Sequence, residues 1–186
     1  MHESTFNVAG STSSATQAVG SGYTGNARLA GNAVVGGGGG IYGINILEAQ
    51  SWNGWTAIED LSFSIRARRD NGLQAFGFAV EQGGKRWLAG YFLNTFTYDL
   101  YSVAVTSADF VLPYGVDPTS QAEHPDFSAG AAPIRFGFYI ANSSTMWGYS
   151  TSGYYSDFSV SFVPAPGVAG AIAAAMVGMV RRRRGR

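Results

Sequence analysis

Between residues 41 and 162 apolar and polar side chains alternate in steps of two over a series of short runs, and no stretch there sustains the 3.6-residue period of a helix. The cleanest case is 61–69. Leu61, Phe63, Ile65 and Ala67 share one face, and Ser62, Ser64, Arg66 and Arg68 share the other. A strand of this kind has one apolar face, and that face must be buried against another layer. The pattern therefore predicts sheets packed on sheets.

Further strands are expected along the chain. Residues 41–47 alternate loosely, and 73–81 place Phe76, Phe78 and Val80 on one face. Residues 86–93 follow, then 98–106 with Tyr101, Val103 and Val105 aligned, and a short piece at 110–112. Residues 134–142 point Ile134, Phe136, Phe138 and Ile140 inward, with 146–149 as a pairing partner. Residues 154–162 close the body, with Phe158, Val160 and Phe162 opposite Asp157, Ser159 and Ser161. Asp70-Asn71-Gly72 is a hairpin signal, since type I′ turns need positive φ at the tip. With Gln82-Gly83-Gly84-Lys85 it predicts a three-stranded meander over 61–93. Four of the six prolines lie in 113–133, a long excursion, and the other two are in the tail, so no proposed strand contains one. Residues 1–40 are rich in Ser, Thr, Gly and Ala; 6–8 and 33–35 are expected as short strands and most of the remainder as loop. The expected architecture is all-β: an antiparallel, jelly-roll-like β-sandwich over 41–162, joined in part by 1–40 and followed by a short hydrophobic helix within 163–186.

Composition sets bounds on function. All 12 acidic residues precede residue 163, whereas five of the 12 basic residues follow it. The body thus holds 7 basic and 12 acidic residues, a net charge of −5, which disfavours nucleic acid as a partner. The absence of cysteine excludes disulfides, thiol catalysis and thiolate metal sites.

The tail has three parts. Val163, Pro164, Ala165, Pro166 and Gly167 form a rigid start whose prolines are expected to end strand structure. Residues 168–180 are apolar or glycine throughout. Thirteen residues of helix span about 20 Å, short of the roughly 30 Å of a bilayer core. Arg181, Arg182, Arg183 and Arg184, with Arg186, supply the charge that keeps this end in the cytoplasm and places the body across the membrane. A short core helix with a solvated basic end is the structural alternative. A nucleic-acid-binding tail would explain the arginines and leave the apolar run unexplained.

This three-part order resembles the PEP-CTERM sorting signal of bacterial exported proteins, in a form opening Val-Pro-Ala-Pro-Gly. Ala165 stands where the namesake motif has Glu, and 168–180 lacks leucine. The resemblance implies processing by an exosortase, with cleavage near Pro164-Ala165-Pro166. It implies passage through the inner membrane and release or attachment of the body outside it. Met1-His2-Glu3-Ser4-Thr5 has neither the basic region nor the apolar core of a secretory signal, so export places the true start upstream. The closing strand Asp157-Phe158-Ser159-Val160-Ser161-Phe162, leading into such a tail, resembles the lectin-like sandwiches attached to these signals. No residue-level function carries over from that second likeness.

Chemistry is sparse in the body. The histidines are His2 and His124. His124 sits in a polar loop where Asp117, Glu123 and Asp126 could approach a cation, but the alternating spacing of a calcium loop is missing. Gly20-Ser21-Gly22-Tyr23-Thr24-Gly25 matches GxGxxG without the strand before it or the helix after it that dinucleotide binding needs. A glycosidase needs two carboxylates facing each other across a cleft. Glu59, Asp60, Glu81, Asp99 and Asp157 are candidates in number alone, and Glu59 and Asp60 would point to opposite faces. No catalytic residue, metal site or cofactor is assigned. Asn142-Ser143-Ser144 is a glycosylation sequon, uninformative in a bacterial setting. Aromatics offer more: Trp52, Trp55, Trp87, Trp147, Tyr91, Tyr149, Tyr154 and Tyr155 could pack the core or stack on sugar rings. Trp52 and Trp55 flank a turn and are the stacking candidates. The expected function is that of an exported cell-surface or matrix protein without catalytic activity, with extracellular polysaccharide as its ligand. The alternative is a secreted hydrolase acting on glycans.

Overall fold

The computed structural model describes residues 2–8 (backbone only), 10–37, 40–113, 123–144 and 146–165. Ten strands are found among them: β1 His2–Val8, β2 Thr12–Ala18, β3 Ala27–Val34, β4 Gly40–Trp52, β5 Ile58–Asn71, β6 Ala75–Gln82, β7 Lys85–Leu93, β8 Asp99–Val105, β9 Ile134–Ser143 and β10 Tyr149–Pro164. A 3₁₀ turn, Ser107–Asp109, follows β8. One sheet has the order β1-β4-β9-β6-β7 and the other β2-β3-β10-β5-β8. Every pairing is antiparallel.

From β3 onward nearly every connection crosses from one sheet to the other, as in a jelly roll. Only β6 and β7 remain neighbours, joined at Gly83-Gly84 as the sequence predicts. The Asp70-Asn71-Gly72 turn behaves differently. Gly72 has positive φ (67°) but Asn71 does not, so no type I′ tip forms, and the turn carries the chain from β5 in one sheet to β6 in the other. The expected meander is therefore not formed, because β5 pairs with β8 and β10 while β6 pairs with β7 and β9. Likewise residues 146–149 do not fold back on β9; Tyr149 opens β10, across the sandwich.

The N-terminal region, expected mostly as loop, supplies three strands. β1 and β2 are edge strands of the two sheets, whereas β3 lies inside its own, and on β2 Thr12, Ser14 and Thr16 face solvent, where small polar side chains cost little to expose. β10 also runs further than expected. Pro164 holds its last place, opposite Ile58 and after a register shift, where the missing N–H disrupts no ladder. Ala165 N then donates to Ala57 O at 3.0 Å. The expected C-terminal helix, with Pro166, Gly167 and Arg181 to Arg184, lies outside the described residues. No helix among the described residues is long and apolar enough to cross a membrane.

The core is aromatic and follows the alternation. Leu61, Phe63, Ile65 and Ala67 from β5 meet Phe76, Phe78 and Val80 from β6 and Ile134, Phe136, Phe138 and Ile140 from β9. Phe63 and Phe78 stack at 4.9 Å between centroids, as do Phe138 and Tyr155. Phe158 and Val160 pack against this core, whereas Phe162 is exposed. At one end lies a buried polar network. Tyr155 Oη donates to Gln74 Oε1 at 2.6 Å, and Gln74 Nε2 donates to Thr151 Oγ1 at 3.1 Å. Thr151 Oγ1 in turn donates to Asn142 Oδ1 at 2.9 Å.

Candidate functional site

The two outer faces differ. On the β1-β4-β9-β6-β7 sheet, the residues that alternate away from the core are themselves apolar. Ile44, Ile46, Ala79, Leu88 and Tyr139 form a second buried cluster. Burial pushes the Tyr139 phenol well above the usual range, with Tyr42 and Tyr91 adding to it. The same face carries Glu81, clamped between Arg135 and Arg86, the latter at 3.0 Å. The other sheet presents hydroxyls to solvent: Thr12, Ser14 and Thr16 on β2, Ser62 on β5, Ser102 on β8, and Ser150, Ser159 and Ser161 on β10. It is the open face.

An aromatic and guanidinium cluster crosses that open face. Arg66 and Arg68 project from the polar side of β5, as their alternation requires. Tyr154 lies opposite Arg68 on β10, with the guanidinium 4.2 Å from its ring centroid. Tyr98, just before β8, approaches the same guanidinium from the other side at 5.2 Å. Arg66 lies 3.9 Å over the ring of Tyr23. Tyr23 meets Tyr98 edge-on at 6.3 Å, which closes the set. Burial raises the Tyr98 phenol, and the hydrogen bond from Arg68 opposes that rise. The phenol donates to Ser21 O, tying the β2–β3 loop to the start of β8.

A backbone irregularity aims the carboxylate of this cluster. Between Ser156 and Ser159, β10 carries one residue more than β5 opposite it. Asp157 sits in this bulge with φ at 51°, the one non-glycine residue in the left-handed region among the described residues. Asp157 accepts from Thr24 Oγ1 at 2.5 Å and lies 3.7 Å from Arg66 Nε. An L-residue held there costs of order 1 kcal/mol, and such strain concentrates at functional sites. The cluster thus offers flat rings beside fixed donors and acceptors, the equipment for binding a hydroxylated ring.

The residues singled out from sequence are scattered. Trp52 is 5% exposed and belongs to the core, so its ring faces protein. Trp55 is 86% exposed, on the turn before β5. Arg68 lies ten residues beyond the start of that strand, which puts Trp55 about 30 Å from the cluster. Trp147 is exposed beyond the opposite end of β9, and Trp87 is buried, its Nε1 donating to Glu123 O at 3.1 Å. Tyr91 and Tyr149 are exposed and Tyr155 is buried. Three carboxylates are occupied: Asp99 by Thr95 and Thr97, Asp126 by Ser128 and Glu123 by Lys85, while Glu59 and Asp60 lie at the start of β5, Glu59 exposed and Asp60 half-buried. Hydrogen bonds from Ser128 lower the Asp126 carboxyl. Glu81 lies on the opposite sheet from Asp99 and Asp157. His124 Nδ1 bonds Phe110 O at 2.8 Å, which fixes the proton on that nitrogen in the neutral ring. Asp117 lies outside the described residues. Among the described residues no three metal-ligating side chains converge. The sequon residue Asn142 is a structural link, donating to Leu73 O at 3.1 Å. Tyr23 and Tyr98 escape sequence reading because loops carry them; Arg66 and Arg68 are signalled by their place on the polar face of β5.

No protein-family profile matches the chain, and no curated protein sequence matches it. Among solved structures the sandwich is shared. One similar structure is the family 11 carbohydrate-binding module of a cellulosomal cellulase of Clostridium thermocellum. Its TM-score is 0.51 at 13% identity, over 89% of this chain and 89% of that one. A second is the family 11 module from the same organism in complex with a β-1,3-1,4-mixed-linked tetrasaccharide. It has a TM-score of 0.51 at 13% identity, over 88% of this chain and 89% of that one. At this identity the likeness is one of fold.

Proposed function

We propose that this chain is a non-catalytic polysaccharide-binding protein whose site is the open face around Tyr154, Arg68, Tyr98, Tyr23, Arg66 and Asp157. The observation that carries the reading is Asp157. A strained left-handed residue in a bulge turns its carboxylate outward beside a guanidinium and an exposed tyrosine ring. A sandwich can close without such a residue, and glycine would serve the bulge at lower cost. The shared fold with a module that holds a tetrasaccharide supports the same reading.

The test is affinity electrophoresis through a panel of soluble polysaccharides, including mixed-linked β-1,3-1,4-glucan. Retention of the wild type by at least one polymer is expected. Tyr154→Ala should lose it with an unchanged melting temperature, because that ring lies outside the core. Equal retention of both proteins would refute the site.

For the tail we propose sorting. The body is exported, processed by an exosortase-type enzyme at 163–167, and held at the inner membrane by 168–180 and Arg181 to Arg184 until then. The support is the order of those three segments in the sequence. Intact mass and cell fraction of the protein in its own host test this. A chain ending near Pro164 and found outside the inner membrane is expected. An uncleaved chain in the cytoplasm would overturn the proposal.

A further inference from the structure

Along β10 from the Tyr154 row, the open face changes character. Successive cross-strand rows become Ser14–Gly31–Ser152 and Thr12–Ala33–Ser150. These small residues leave a trough of about 260 Å³, lined by Thr12, Ser14, Gly31, Asn71, Ser150 and Ser152. Leu29, Tyr154 and Arg68 stand as the next row, which sets the trough beside the cluster. Gly31 keeps the floor open. A Cβ there would stand 3.0 Å from Thr151 O and 3.9 Å from Ser14 Oγ, so any side chain would rise into the trough.

The chemistry of the lining is uniform. It is hydroxyl and amide, without an ionised group among those side chains. Ser152 Oγ donates to Asp70 Oδ2 at 2.7 Å, which commits its proton and leaves its lone pairs to accept. The hydroxyls of Thr12, Ser14 and Ser150 have no protein partner among the described residues and are free to donate or accept. An anionic ligand would call for arginine or lysine here, since charge-assisted bonds are the ones that hold carboxylate and sulfate. Hydroxyls that both give and take match other hydroxyls. Within the neighbouring cluster Arg66 is offset by Asp157, and the Arg68 guanidinium lies against the rings of Tyr154 and Tyr98.

We propose that the trough is a second subsite that takes the continuing chain of a neutral, hydroxyl-rich polysaccharide. This rests on the reading of the Tyr154 cluster as the first subsite. The polymer follows β10 from Asp157 to Ser150, a path of about 23 Å at 3.3 Å per residue. Short oligosaccharides fill the cluster alone; longer ones reach the trough.

The experiment is isothermal titration calorimetry with mixed-linked β-1,3-1,4-glucan oligosaccharides from three to six residues, and oligouronates of the same lengths. For the full chain, affinity should rise at least tenfold from the shortest to the longest neutral ligand. Ser14→Phe fills the trough from an exposed edge position. It should abolish that rise and leave trisaccharide affinity unchanged. Tyr154→Ala should weaken every length. The oligouronates should gain nothing from added residues. A flat neutral series in the wild type, or a rise that survives Ser14→Phe, overturns the second subsite while the first stands. An oligouronate series as steep as the neutral one overturns the assignment to neutral chains. Failure to bind any oligosaccharide at any length removes both the cluster and the trough as sugar sites.

Discussion

Arg68 and Tyr154 face each other across the β5–β10 ladder, with the guanidinium 4.2 Å from the ring centroid. The contact locks two side chains that would otherwise sample several rotamers on an open surface, and it does so at the centre of the cluster. Arginine suits this role because its planar head stacks and still directs N–H groups outward. Arg68→Lys keeps the charge and loses the plane. Polysaccharide retention should weaken roughly fivefold, the equivalent of about 1 kcal/mol for one cation–π contact. The melting temperature should move little. Undiminished retention in affinity electrophoresis would mean that charge alone suffices at this position.

The two tryptophans of the Trp52–Trp55 turn should separate cleanly. Trp52→Ala opens a cavity in the core and should cost about 3–5 kcal/mol in urea unfolding. Trp55→Ala removes an exposed ring and should change stability by less than about 0.5 kcal/mol. Neither should alter retention by a protein that still folds, since the cluster lies at the far end of β5. Loss of binding in Trp55→Ala would move the site to that end of the sandwich.

The sequence made the strands legible because burial is periodic. The inward set of β5, β6 and β9 can be read directly from Leu61, Phe76 and Ile134 and every second residue after them. Strand partners were not legible. Asp70-Asn71-Gly72 has the chemistry of a hairpin tip, yet only Gly72 takes positive φ, where a type I′ tip needs it at both central residues; Asn71 stays in β5 opposite Ser152 and the next strand joins the opposite sheet. Residues 12–18 carry no apolar alternation because β2 is an edge strand, and an edge needs only backbone pairing. Arg66 and Arg68 were visible as the polar face of β5. Their ring partners were not, since Tyr23 and Tyr98 reach them from loops, and no spacing rule encodes where a loop returns.

Alkaline pH should expose the buried phenols. Burial holds Tyr155 above the ordinary tyrosine range, against a smaller opposing effect of Asn94, and Tyr139 is raised in the same way. In the unfolded chain both ionise near pH 10. The unfolded state therefore releases protons first as pH rises. The contribution of each phenol is complete below about pH 10 and is lost above it, at about 1.4 kcal/mol per pH unit for each. Tyr155→Phe should show a shallower fall in stability between pH 10 and 12. At neutral pH it should be less stable by about 1–3 kcal/mol, because Gln74 Oε1 loses its buried donor. Parallel pH profiles for the two proteins in urea unfolding would contradict the burial argument.

Asp157 allows binding to be separated from folding. Asp157→Gly relieves the left-handed strain, a gain of about 1 kcal/mol. It also deletes a half-exposed ion pair with Arg66, worth about 0–1 kcal/mol, and the bond from Thr24. These changes oppose each other, so stability should stay within about 1 kcal/mol of the wild type. Retention should fall, because the carboxylate is then gone while the bulge remains. Asp157→Asn tolerates the same φ and keeps one acceptor, so it should bind with intermediate strength. If Asp157→Gly binds as tightly as the wild type, the bulge serves only to fit β10 against β5. The strain would then be a consequence of packing, and the sugar contacts would rest on Tyr154 and Arg68 alone.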